Sequence, residues 1–258
     1  MGLTEYIGNA DEITVPSRLW GLLYGAAKSR KTSTAVSWPG PLWIAELDCD
    51  EDRLRYVLDR HAPGKSASYD IILPTNQFEL TEQELENLMG RAEIMIRAAK
   101  SAGQGTLIVD GGNTLYRLYQ MAFVGADFSA GKPKDLKGAA SAGARADFAR
   151  ISQHFDQLLK PMRETKELNV VFTTEPKETW VDGKGSGKFE PRGPDSWEFS
   201  FDVELMTYVT GGEYSESLGR ATPIEGYGVV NWCSFRDDRM RGKIIKEPTF
   251  DKIRAMLA

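Results

Sequence analysis

The sequence predicts an α/β fold: a mostly parallel central sheet with helices on both faces, closed by a C-terminal β-hairpin and helix. Three observations carry this. Short apolar runs alternate with stretches of helical periodicity along most of the chain, the pattern of strands joined by helical crossovers. Several runs close on a carboxylate or a threonine, at the strand end where α/β sheets hold their ligands. The first run leads into a loop of small residues ending in Lys31-Thr32.

At 258 residues the chain suits one large domain, read as 18–258 behind an N-terminal arm over 1–17. An apolar fraction of 41% supports a real core, and 27% charged residues give a polar surface. The net charge of -5 excludes a uniformly basic nucleic-acid binder and leaves room for a local basic track. Two cysteines, Cys49 and Cys233, form no framework, and the acidic N-terminus does not read as a signal peptide, so a cytoplasmic protein is expected. No apolar run approaches the length of a membrane span. His61 and His154 are the only histidines, which argues against a histidine-based metal site or triad.

In order, Pro16 precedes a strand over Leu19 to Tyr24, followed by a tight loop and a helix that ends before Trp38-Pro39-Gly40-Pro41. Leu42 to Leu47 reads as a buried parallel strand broken only by Glu46. Asp48, Asp50, Glu51 and Asp52 follow it, a helix runs from Asp50 to Arg60, and Tyr69 to Leu73 is a further strand. Thr81 begins a helix with a capping box, Glu84 standing three residues on. Leu85, Leu88, Met89, Ala92, Met95, Ile96 and Ala99 then recur at helical spacing. Thr106-Leu-Ile-Val-Asp110 is a strand closing on a carboxylate. Residues 126–147, rich in Gly, Ala, Ser and Lys, are expected to be a loop, with a helix from Phe148. Asn169 to Thr174 is a buried strand, Val181 to Ser196 has loop chemistry, and Phe201 to Thr210 and Tyr227 to Phe235 read as strands. Ile244-Ile245 and the segment Phe250 to Leu257 finish the chain as a short strand and a helix.

The loop Gly25-Ala26-Ala27-Lys28-Ser29-Arg30-Lys31-Thr32, with Ser33 after it, matches a phosphate-binding loop at every required position but one: Arg30 stands where a second glycine is usual. Such a loop turns backbone N–H groups onto phosphate oxygens. Lys31 would neutralise the terminal phosphates of ATP, and Thr32 would offer its hydroxyl to Mg²⁺. A side chain at position 30 crowds the loop or needs an unfavourable backbone angle; Arg30 is expected to be tolerated with its chain swung outward, where it would add a phosphate contact. Asp110 is the expected second carboxylate for Mg²⁺. Glu46 and Asp48, placed by the sequence on the strand beside the phosphate loop, are alternative water-positioning groups. A two-residue spacing on one strand face does not choose between them. Thr173, Thr174 and Glu175 end a strand expected to neighbour Asp110, where polar groups sense a γ-phosphate.

The segments Leu-Tyr-Gly-Ala-Ala-Lys-Ser-Arg-Lys-Thr, Leu-Trp-Ile-Ala-Glu-Leu-Asp, Leu-Ile-Val-Asp-Gly-Gly-Asn and Asn-Val-Val-Phe-Thr-Thr-Glu-Pro-Lys-Glu, with the basic ending from Cys233 to Ile253, resemble the RecA-like P-loop ATPases. The likeness is greatest to the phage-encoded members linked to single-strand annealing. The resemblance implies Asp48 as the catalytic acidic residue, Glu175 at the sensor position, and Arg236, Arg239 or Arg241 reaching a neighbour's nucleotide in a homo-oligomeric ring or filament. It also implies single-stranded DNA as partner, contacted from 126–147 and 181–196 through Lys132, Lys134, Lys137, Lys184, Lys188 and Arg192. A phosphate-loop kinase of nucleosides or nucleotides is the alternative enzyme, with Arg145, Arg150 and Arg163 available to a lid. A non-hydrolysing nucleotide-binding scaffold is the third reading, for which Arg30 and Glu175 argue.

Overall fold

The computed structural model describes residues 17–74, 80–124, 126–127, 132–133, 142–181, 184–194, 197, 200–211, 214–215, 220–221, 224–234 and 240–257. Residues 124, 126–127, 132–133, 142–148, 181, 214–215, 220–221 and 232 are described by their backbone alone. The first half of the chain runs β1 (Trp20–Tyr24), α1 (Lys31–Val36), β2 (Leu42–Glu46), α2 (Glu51–His61), β3 (Ala67–Ile71), α3 (Glu82–Ala102), β4 (Gln104–Asp110) and α4 (Gly112–Val124). Two short strands, β5 (Ala126–Asp127) and β6 (Lys132–Pro133), lead to α5 (Ala142–Leu159) and a 3₁₀ turn at Lys160–Glu164. Then follow β7 (Glu167–Thr174), β8 (Pro176–Val181), β9 (Lys184–Pro191), β10 (Val203–Thr210), β11 (Tyr214–Ser215), β12 (Arg220–Ala221), β13 (Glu225–Cys233), β14 (Ile244–Lys246) and α6 (Phe250–Leu257).

Eight strands form one sheet in the order β14-β13-β10-β1-β7-β4-β2-β3. From β10 to β3 all neighbours are parallel, and β13 and β14 add an antiparallel edge. Alternation along the central strands feeds two cores. Trp20, Leu22, Leu107, Val109, Val170 and Phe172 pack beneath α3, α4 and α5. Leu19, Leu23, Ile44, Ile108, Val171 and Leu205 pack against α1, α2 and α6. Helices therefore cover both faces, an arrangement consistent with a Rossmann-like core. No helix among the described residues is long and apolar enough to cross a membrane.

Local signals set several boundaries. Thr81 accepts the Glu84 N–H at 3.2 Å and Gly103 ends α3 at φ 68, while Asp50 caps α2 through the Arg53 N–H. Lys65 donates to the Val36, Ser37 and Trp38 carbonyls at 2.9, 2.7 and 2.8 Å, closing the end of α1 where no helical partner remains. Trp197 fills the space beside β7 and α4: a Cβ on Gly112 would lie 2.8 Å from its ring, and one on Gly193 2.4 Å.

Three expectations are corrected. Helix α5 begins at Ala142, inside the stretch read as a loop, because Ala142-Gly-Ala-Arg-Ala is largely helix-favouring although it carries no apolar face. The stretch from Val181 is largely a strand, since β8 and β9 pair antiparallel from Pro176↔Pro191 to Val181↔Lys184. And β2 does not border the strand that precedes the Gly25–Thr32 loop: β1 lies between β10 and β7, with β4 between β7 and β2. The expected arm lies outside the described residues, apart from Ser17.

Candidate functional site

The loop after β1 is shaped by close approach. A Cβ on Gly25 would lie 2.2 Å from the Thr207 carbonyl oxygen and 2.6 Å from Ser29 Oγ, so β10 leaves room for glycine alone. Ser29 is buried and shares a 2.8 Å hydrogen bond with Thr207 Oγ1, while its N–H donates to Ala26 O at 3.2 Å. Lys28 and Arg30 take left-handed backbone angles, φ 63 and φ 70. Lys31 Nζ curls back to donate to Gly25 O at 2.9 Å and Ala26 O at 3.0 Å. Burial lowers the Lys31 pKa, against the pull of Asp110, Asp48 and Glu175. The Arg30 side chain does swing outward, donating to Glu247 and, at 2.9 Å, to Ile224 O.

Opposite the loop, the parallel strands deliver their carboxylates. Glu46 and Asp110 are register partners at the ends of β2 and β4, and both are buried. Glu46 Oε1 accepts the N–H groups of Asp48 and Cys49 at 2.9 and 2.8 Å. No described donor reaches Oε2, and the adjoining Asp110 carboxylate is another acceptor, so a proton carried by Glu46 is what joins the two. Burial first, and the Asp110 charge second, push the Glu46 carboxyl up to about 9. Asp110 accepts from Thr173 Oγ1, which also receives the Gly111 N–H at 3.0 Å. Asp48 lies just past the end of β2, so strand alternation does not fix its direction; Thr114 Oγ1 does, donating to Oδ1 at 2.8 Å. Burial raises the Asp48 pKa, with Thr114 opposing. Gly111 at φ 100 lies against it, since a Cβ there would be 2.6 Å from Asp48 Oδ1.

These groups surround one cavity of about 370 Å³, lined by the loop from Ala27 to Ser33 together with Glu46, Asp48, Asp110 and Glu175. Cys49, Arg53 and Val57 complete its wall. Of the residues the sequence singles out, 27–33, Glu46, Asp48, Asp110 and Glu175 are thus brought together, while Gly25 and Ala26 are not among the lining. The oxygen donors Thr32 and Asp110 suit a hard cation such as Mg²⁺. Among the described residues no group of three or more His, Cys, Asp and Glu forms a metal cage. A larger cavity of about 560 Å³ lies between the β8–β9 hairpin and the sheet. Its described lining includes neither the Lys31-Thr32 loop nor the carboxylates of Asp48 and Asp110, so the smaller one is the better chemical candidate.

Glu175 is exposed and turned to Arg192, 3.9 Å away, whose N–H donates to the Glu175 carbonyl at 2.9 Å. Lys184 and Lys188 are exposed on the hairpin. The same hairpin carries two aromatics that the sequence motifs do not include: Trp180 is 68% and Phe189 47% exposed. Aromatic residues interleaved with lysines in a Gly-rich stretch were the available signal. Lys132 is described by its backbone alone, Lys134, Lys137, Arg236 and Arg239 lie outside the described residues, and Arg241 is exposed. No protein-family model matches the chain, and no curated protein matches it either.

Proposed function

We propose that the chain is a Mg²⁺-dependent, RecA-like P-loop ATPase that acts on single-stranded DNA as a homo-oligomer. The observation that carries this reading is the convergence of Lys31 and Thr32 with Asp48 and Asp110 around one cavity at the carboxyl ends of parallel strands. Backbone N–H groups of the loop and Lys31 hold the triphosphate, Lys31 exchanging the Gly25 and Ala26 carbonyls for phosphate oxygens. Thr32 and Asp110 are the residues that hold Mg²⁺, which when bound neutralises charge on the phosphates. Asp48, steadied by Thr114, orients a water for attack on the γ-phosphorus and takes its proton as the bond to the leaving ADP breaks. Glu46, uncharged and engaged by two backbone amides, is a supporting group rather than a base.

Glu175 is the route from nucleotide to partner. It borders the cavity, precedes β8 and holds Arg192 just past β9, so loss of the γ-phosphate is felt at both roots of the hairpin. Trp180, Phe189, Lys184 and Lys188 give that hairpin the stacking surfaces and charge that single strands require. Steady-state ATP hydrolysis with and without single-stranded DNA, beside Lys31→Ala, tests the proposal. Turnover stimulated by DNA and lost in the variant supports it. Phosphate transfer to a nucleoside or nucleotide would replace it with the kinase, and binding without turnover with the scaffold.

A further inference from the structure

We propose that Arg30 is a positioning residue, a tie that fastens the phosphate loop to the β13–β14 corner through Glu247, and that it takes no part in holding phosphate. The inference rests on the nucleotide-site reading above and concerns how that site keeps its shape without the usual glycine. Arg30 sits at φ 70, ψ 22, a left-handed conformation disfavoured for any residue with a Cβ. Glu247 sits at φ 48, in the same region. These two unfavourable positions, 217 residues apart in sequence, are joined directly by an ion pair between Arg30 Nη1 and Glu247 Oε2.

Both ends of the tie are anchored. The second guanidinium nitrogen donates to the Ile224 carbonyl at 2.9 Å. The other Glu247 oxygen accepts the Gly226 N–H at 2.7 Å, and the Glu247 N–H returns a 2.7 Å bond to the Gly226 carbonyl. Between the two residues the Arg30 side chain lies flat on Gly226, where a Cβ would come within 2.8 Å of Arg30 Cδ. Position 226 has to be small for the arginine to pass. Arg30 itself borders the nucleotide cavity, but its partners Ile224 and Glu247 do not, so the guanidinium spends its charge on the C-terminal corner. A glycine at position 30 adopts the left-handed angle without help. Arginine adopts it at a cost, which the ion pair with Glu247 offsets.

A phosphate ligand and a tie answer differently to the same four variants. The measurement is the MgATP dissociation constant, by titration calorimetry, of the parent and of Arg30→Ala, Arg30→Gly, Glu247→Ala and the Arg30→Ala/Glu247→Ala double variant. For a tie, Arg30→Ala and Glu247→Ala each weaken binding about tenfold, the double variant is no worse than either, and Arg30→Gly stays within about twofold of the parent. The proposal is overturned if Arg30→Gly loses as much as Arg30→Ala, or if Glu247→Ala, by freeing the guanidinium, leaves binding unchanged or tighter. Should the parent bind no MgATP and match Lys31→Ala, the nucleotide reading fails while the tie is still decided by amide exchange in the free protein. Faster exchange at residues 25–31 in Glu247→Ala, with β4 amides unchanged, supports it; unchanged exchange at 25–31 refutes it.

Discussion

Glu46 and Asp110 stand opposite one another at the ends of β2 and β4, two buried carboxylates that share no cation among the described residues. Their closeness separates the roles of Glu46 and Asp48. A carboxyl kept protonated beside another acid serves as a donor to it, and an amide does the same work. Glu46→Gln is therefore expected to keep kcat within about threefold, its oxygen still accepting the Asp48 and Cys49 amides. Asp48→Asn retains the Thr114 contact but accepts no proton, and kcat should fall by roughly 10²–10⁴ with KM little changed. Steady-state kinetics of the two variants decide it; the opposite pattern would make Glu46 the base.

Gly25 is required by contact with β10, a cause distinct from any backbone angle. Gly25→Ala drives a Cβ into the Thr207 carbonyl and Ser29 Oγ, and neither the strand nor the buried serine has room to yield. The expected cost is about 1–3 kcal/mol of stability, read as a lower urea midpoint, with loss of nucleotide binding because the loop is displaced. Thr207→Ser keeps the hydroxyl to Ser29 and should leave both nearly unchanged.

Much of this site was legible in the sequence, and the limits are physical. That Lys31, Thr32 and Asp110 share one cavity could be expected from a Lys-Thr pair after the first strand and from a buried strand closing on a carboxylate. The buried strands announced themselves because β4 and β7 are apolar on both faces. Glu46 and Asp48 were inseparable because their difference depends on where β2 stops, one residue before Leu47, which sequence fixes poorly. The β8–β9 hairpin read as a loop because its glycines and lysines face solvent and leave little burial alternation to detect. The Arg30 tie was invisible: its partner stands 217 positions away and no local pattern links them.

The hairpin carries the prediction for the partner. Trp180→Ala is expected to weaken binding of a single-stranded oligonucleotide by about 1–3 kcal/mol, the usual worth of one stacked base. Lys184→Ala/Lys188→Ala should instead flatten the salt dependence of binding, by about 0.7 in log–log slope for each phosphate that is no longer neutralised. Fluorescence anisotropy across a salt series separates the two effects. An affinity indifferent to Trp180 would move the DNA away from this hairpin.

Asp202 provides a pH test independent of the site. It brackets the first strand, Oδ2 accepting the Trp20 N–H at 2.9 Å while its own N–H donates to the Trp20 carbonyl at 2.8 Å. Burial raises its pKa above the ordinary 3.8, with the Trp20 N–H, Arg163 and Arg18 opposing. A raised carboxyl means that the folded chain holds a proton the unfolded chain has already lost. Stability is therefore lost as pH climbs from 3.8 through the raised folded value, and is fully present only below that window. Asparagine keeps the acceptor for Trp20 and carries no charge to bury. Asp202→Asn should accordingly be more stable than the parent by on the order of 1 kcal/mol at about pH 7, with the gain shrinking to nothing as pH falls towards about 4. Urea denaturation across that range measures it, and a gain that persists undiminished at the acid end would mean that packing, rather than the buried charge, distinguishes the two side chains.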